Sequence, residues 1–125
     1  DPCCVLGSAG QLQQVVMNLV QNAFDAVVAA RIPQPGVWVS VDSDKVNHLA
    51  RVTVCDNGPG ILPEHLLRIF DPFFTTKPPG EGTGLGLNIS HNIIVQKHKG
   101  KITVESKYGR TCFQIQLSLH LNEKG

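Results

Sequence analysis

Between Gln11 and Arg31 the chain carries a long helical pattern, in which Leu12, Val15, Val16, Leu19, Val20, Ala23 and Val27 recur three and four residues apart. That spacing gathers these apolar side chains into one stripe, so the segment reads as a helix with a single buried face. Gly7-Ser8 marks its start, with Ser8 as N-cap, and Pro33 stops it at a turn running to Gly36. Such a helix needs an apolar surface to lie on. The Val-rich runs at 37–43 and 50–55 supply one as two strands, joined by a polar hairpin connection from Ser43 to His48.

The remaining pattern extends this layout. Residues 3–6 read as a strand end, and Pro63 to Ile69 as a short helix with proline in its first turn. The stretch 71–86 is rich in proline and glycine and poor in apolar residues, which suits a mobile lid. A second long helix is expected from about Gly84 to Lys97, with Leu85, Leu87, Ile89, Ile93, Ile94 and Val95 spread around much of its circumference. Ile102 to Ser106 and Cys112 to Leu119 alternate as a closing antiparallel pair joined through Lys107 to Arg110. The order predicts an α+β fold, a two-layer α/β sandwich with helices on one face of a mixed, mostly antiparallel sheet.

A chain of 125 residues, 42% of them hydrophobic, suits one domain over 1–125 with one core. Eleven basic and ten acidic side chains leave a formal charge of +1, which argues against nucleic acid or an anionic membrane as partner. Any phosphate binding must come from local geometry. The cysteines are Cys3, Cys4, Cys55 and Cys112, with no C-x-x-C pair, which argues against a zinc site or a disulfide framework and for a reducing compartment. Cys55 and Cys112 read as structural thiols in strands. No apolar stretch approaches the roughly 20 residues of a membrane span. A soluble, cytoplasmic, monomeric domain is expected, with a membrane-anchored parent left open.

Three segments carry chemistry. Gln14, Asn18, Asn22 and Asp25 form a polar stripe on the first helix, and side-chain amide oxygens there can ligate a hard cation such as Mg2+. Asparagine is a poor helix former and needs a reason to sit in mid-helix. At Val54-Cys55-Asp56-Asn57-Gly58-Pro59-Gly60 a carboxylate stands where a strand stops and the chain turns. It can accept a hydrogen bond from an exocyclic amine, and the glycines let a flat base approach the backbone. Glu81-Gly82-Thr83-Gly84-Leu85-Gly86-Leu87 runs straight into a helix, whose first amides suit phosphate. It lacks the lysine of a P-loop and the strand-to-helix crossover of a dinucleotide site. Lys77 and Arg110 are candidate charge partners.

Together these segments resemble the catalytic domain of sensor histidine kinases, in the GHKL superfamily of gyrase, heat-shock chaperone, histidine kinase and mismatch-repair ATPases. Asn18 to Ala26 is similar to the N box, Asp56 to Gly60 to the first glycine box, Asp71-Pro72-Phe73-Phe74-Thr75-Thr76-Lys77 to the F box, and Gly82 to Leu87 to the second glycine box. The boxes occur in family order and the resemblance runs from about Gly7 to Leu119. It implies that Asn22 ligates Mg2+, with Asn18 beside the phosphates, and that ATP is the ligand. Asp25 belongs to the same polar face. Asp56 would accept the adenine amine, Gly58 and Gly60 would shape the base pocket, Ile61 would be a further nucleotide-binding residue, and Thr111 would reach the base through water. Phe73 and Phe74 would anchor the lid, Gly82, Gly84 and Gly86 would let it fold over the phosphates, and Thr76, Lys77, Thr83, Leu85 and Leu87 would be further nucleotide-binding residues.

ATP-hydrolysing relatives carry a glutamate base where Asn18 stands, and an amide cannot take a proton from water. The resemblance therefore implies transfer of the γ-phosphoryl group to a histidine on a separate dimerisation domain, and onward to a response-regulator receiver. The Asn-Ala-Phe-Asp-Ala ending and the Thr-Thr-Lys tail look most like nitrogen-regulatory kinases. None of His48, His65, His91, His98 and His120 lies in anything like an acceptor segment. An ATP-gated conformational module without transfer, and an ATP hydrolase, are the rival readings. The chain departs from the family in having Ser8 where aspartate is usual and Arg110-Thr111 where a second glycine usually precedes the threonine. The family's domain also ordinarily begins one strand earlier than residue 1.

Overall fold

The computed structural model describes residues 9–72, 86–107 and 109–118. Helix α1 (Ala9–Ala29) is followed by strands β1 (Val37–Asp44) and β2 (Leu49–Asp56), a short helix α2 (Pro63–Leu66) and helix α3 (Gly86–His91). A π-helical stretch, Asn92–Lys97, continues α3, and strands β3 (Lys101–Lys107) and β4 (Arg110–Ser118) complete the sheet. The strand order is β1-β2-β4-β3, and every pairing among the described residues is antiparallel. β4 thus lies between β2 and β3, which makes Asp56 and Thr111 cross-strand partners.

Alternation along the strands separates the two faces. On one, Thr111, Phe113, Ile115 and Leu117 of β4 are buried with Ala50, Val54 and Asp56 of β2. Onto this face α1 lays Val15, Leu19, Ala23 and Val27, one turn apart, and the π-helical stretch adds Ile93 and Ile94. Each wholly buried aliphatic side chain, such as Leu19 or Ile94 at 0% exposure, contributes about 1.5–3 kcal/mol. The other face is polar. Gln114 Nε2 donates to Thr53 Oγ1 at 3.3 Å, Gln116 Nε2 to Gln114 Oε1 at 2.8 Å, and Arg51 pairs with Asp42 at 2.9 Å. The polar outer face and the helix-covered inner one make a two-layer sandwich. At the edge strand β1, Val39 and Val41 stay exposed, although their partners Val54 and Val52 point toward the core.

Several expectations change. α1 and the strands differ from the sequence reading by a few residues at their ends, where side-chain periodicity says least. The hairpin turn tightens because Asp44 Oδ1 accepts the Val46 and Asn47 N–H groups, both at 3.0 Å. The second long helix is not α-helical throughout. Its latter half is π-wound, with the His98 N–H reaching the Ile93 carbonyl five residues back at 3.1 Å. The argument against disulfides fails for one pair, since the structure joins Cys55 to Cys112 across β2 and β4. They are 57 residues apart in sequence, and only strand register sets them face to face. The Ser8 cap, the strand end at 3–6 and most of the lid lie outside the described residues.

Candidate functional site

Asn18, Asn22 and Ala26 follow one another a turn apart along one face of α1. At the first, Asn18 Nδ2 donates to Ser90 Oγ at 3.2 Å and to the Gly86 carbonyl at 3.5 Å, across to α3. A carbonyl can only accept, so the amide nitrogen belongs on the α3 side and Oδ1 on the other side of the side chain. At the last, Ala26 lies against Gly58, where an added Cβ would stand 3.4 Å from the Ala26 methyl and 2.9 Å from the Asp56 carboxylate. One helix face therefore connects the start of α3 to the end of β2, over about 12 Å of rise. Asn22 is half-buried midway. Asp25, on the same side, accepts a hydrogen bond from Gln21 Nε2 at 2.8 Å.

At the β2 end, Asp56 is 4% exposed and its Oδ1 accepts the Gly58 N–H at 2.8 Å. Burial pushes its pKa above the ordinary aspartate value, and the Gly58 N–H works against that shift. Thr111, its partner across the ladder, is also 4% exposed, with its hydroxyl 2.9 Å from Ser106 Oγ. Ser106 Oγ in turn accepts the Ile61 N–H at 2.6 Å, tying the turn after β2 to β3. Gly60 has φ 88°, and a Cβ there would meet the Lys107 carbonyl at 2.5 Å, so only glycine fits. Asn57 braces the same turn, accepting the Gly36 N–H at 2.8 Å and donating to the Gln34 carbonyl at 2.7 Å.

Phe70 fastens the segment after α2 to α3. Its carbonyl accepts Asn88 Nδ2 at 3.0 Å, and its ring lies 5.0 Å from His91 and edge-on to Phe113 at 6.4 Å. Of the residues singled out from sequence, the structure brings Asn18 to Gly86 and gathers Asp56, Gly58, Gly60, Ile61 and Thr111 around one turn. Ile61 and Leu87 also pack against the core. Phe73, Phe74, Thr76, Lys77, Gly82, Thr83, Gly84 and Leu85 lie outside the described residues. Arg110 is not a phosphate partner here, because it sits on the outer sheet face and donates to Cys112 Sγ at 3.3 Å. The sequence reading gave no role to Ser90, Ser106 or Asn57. Ser106 had a signal, as a hydroxyl at an inward position of β3 after Ile102 and Val104.

The structure is a helix-backed antiparallel sheet with a buried acid at one strand end and an amide stripe on the covering helix. Residues 7–121 match the family described as histidine kinase-, DNA gyrase B-, and HSP90-like ATPase, and the chain belongs to that family. Its relatives are sensor kinases. It is 41% identical over 115 residues to the sensor histidine kinase ZraS of Escherichia coli (strain K12), covering 91% of this chain and 23% of ZraS. It is 35% identical over 121 residues to the sensory histidine kinase/phosphatase NtrB of Rhizobium meliloti (strain 1021), covering 89% of this chain and 31% of NtrB. The solved catalytic domain of histidine kinase ThkA superposes with a TM-score of 0.77 at 34% identity, covering 91% of this chain and 71% of that one. The chain thus spans less than a third of the length of these two curated kinases. Among the described residues no helix is long and apolar enough to cross a membrane.

Proposed function

We propose that this chain is one catalytic domain that binds Mg-ATP and delivers the γ-phosphoryl group to a histidine on a separate dimerisation domain. The observation that carries the reading is the single α1 face that links Asn18, against the start of α3, to the buried Asp56 turn. A nucleotide laid along that face would have its base at Asp56 and its phosphates at the second glycine box. Asp56 accepts the adenine amine, Thr111 reaches the ring through water, and Gly58 and Gly60 leave room for a flat base. The amides opening α3, with the helix dipole behind them, bind phosphate oxygens, and the lid residues Gly82 to Leu87 complete the enclosure.

The donor set suits Mg2+. Among the described residues no three His, Cys, Asp or Glu side chains gather around a metal, and a hard cation that keeps its waters needs only one or two protein oxygens plus phosphate. Asn22 would hold it, with Asn18 adjacent, and the bound ion would supply positive charge against the phosphates. Ser90 and Gly86 occupy the Asn18 nitrogen, which orients its oxygen. With an amide where a hydrolase needs a base, Asn18 leaves water unactivated, and the attacking imidazole comes from the acceptor. Its N–P bond forms as the bond to the departing ADP oxygen breaks, so the domain contributes positioning and electrostatics. The phosphoryl group then passes to an aspartate of a response-regulator receiver.

Mixing the chain with labelled ATP and a dimerising helical hairpin that bears a sensor-kinase acceptor histidine tests this directly. Acid-labile phosphohistidine is expected, and Asn22→Ala should abolish it. Saturable ATP binding with no transfer would instead make the domain a nucleotide-gated conformational module.

A further inference from the structure

The outer face of the sheet carries a pair of cysteines that nucleotide binding does not use. Cys55 and Cys112 are cross-strand partners joined as a disulfide, with Cα atoms 4.1 Å apart, so the bond lies within the β2–β4 ladder. Each is one residue from the candidate base pocket, since Cys55 precedes Asp56 and Cys112 follows Thr111. Cys55 is 7% exposed, and Cys112 is half-buried with Arg110 Nε donating to its sulfur at 3.3 Å. The second Arg110 donor, Nη2, lies 4.0 Å from Cys55 Sγ. Arg110 thus lies against both sulfurs, where disulfide exchange would take place.

The pair also occupies a sensitive place in the ladder. Asp56 and Thr111 form the last rung between β2 and β4, and the cysteines form the rung before it. Beyond the Asp56–Thr111 rung β2 leaves the sheet at the Asn57 to Gly60 turn, while β4 keeps one further residue, Arg110, paired with Lys107 of β3 before the chain turns through Gly109, with φ 88°. Ladder ends open first in a folded protein, and a covalent link at the penultimate rung suppresses that opening where the carboxylate and the threonine are presented.

We propose that Cys55 and Cys112 are a reversible thiol–disulfide site that exchanges with small-molecule disulfides, and that its oxidised state holds the Asp56–Thr111 rung in nucleotide-binding geometry. The second clause rests on the nucleotide reading above. The thiolate of Cys112, the less buried of the two residues, attacks a small disulfide RSSR; a mixed disulfide forms and one RS− leaves. The Cys55 thiolate then attacks the Cys112 sulfur and displaces the second RS−. Two protein thiols are oxidised, one RSSR becomes two RSH, and the two protons leave with those thiols.

The chain holds a reporter for this reaction, because its one tryptophan, Trp38, is the β1 partner of Cys55 on the same face. Disulfides quench indole emission. The test uses the full chain with Cys3→Ser and Cys4→Ser, equilibrated in oxidised or reduced glutathione. Oxidation should consume two thiols together and dim Trp38, and reduction should reverse both changes. Calorimetry should show the reduced form binding Mg-ATP about threefold or more weakly, with Cys112→Ser matching the reduced form in either buffer. Thiols that resist oxidised glutathione, or equal ATP affinity in the two states, overturn the proposal. Absent ATP binding in both states overturns the nucleotide reading along with the gating, while Trp38 still reports the exchange.

Discussion

Asp56 answers to two opposed demands. Burial disfavours its charge, whereas an acceptor for an exocyclic amine is strongest when ionised. Because its folded pKa lies above the unfolded value, the folded chain holds the proton more tightly. The stabilising contribution is full below the unfolded pKa and is lost as pH rises through the folded one. Above the folded pKa the ionised side chain therefore costs stability. Asp56→Asn keeps an oxygen for the Gly58 N–H and removes the buried charge, so calorimetric scans at neutral pH should show a melting temperature no lower than the parent's. Its ATP dissociation constant should rise about tenfold or more, as expected for losing a charged hydrogen bond. ATP affinity of the unsubstituted chain should also fall as pH drops through the raised pKa, and the variant should lack that dependence.

Within the elements, two glycines of the matched boxes separate by what surrounds them. Gly60 holds a left-handed backbone against the Lys107 carbonyl, whereas a Cβ added at Gly86 meets nothing within 4 Å. Gly60→Ala should cost about 1–3 kcal/mol in urea unfolding, from strain and displacement of the turn. Gly86→Ala should leave the unfolding free energy within about 0.5 kcal/mol of the parent. An equal loss at both positions would show that the turn after β2 is not held by its contact with β3. The same turn is tied to the α1–β1 connection through Asn57 and to β3 through Ser106, which places the Asp56 carboxylate at a defined end of α1.

For the molecule as a whole, one helix serves as both core and site. Leu19, wholly buried, lies between Asn18 and Val20 on α1, so packing of the core and placement of the amide stripe cannot be separated. Leu19→Ala should destabilise the chain by about 2–5 kcal/mol, read as a lowered denaturation midpoint. ATP binding should weaken only where the folded fraction falls, since the site residues remain. The helical spacing of α1 and the Val-rich strands were legible in the linear order, because periodicity and turn chemistry act over a few residues, whereas the four motifs were read from their resemblance to a known family. Short-range spacing and turn chemistry singled out Asn18, Asn22, Asp56, Gly58 and Gly60 as candidates, and the family resemblance supplied the roles proposed for them. Pairing across the chain was not legible. The placement of β4 beside β2 set Asp56 against Thr111 and Cys55 against Cys112, 57 residues apart, and carried Arg110 to the outer face. The packing of α1 on α3 brought Asn18 to Ser90 over a separation of 72. Contacts of that reach are chosen by which apolar faces bury each other in three dimensions, and no local spacing encodes the choice.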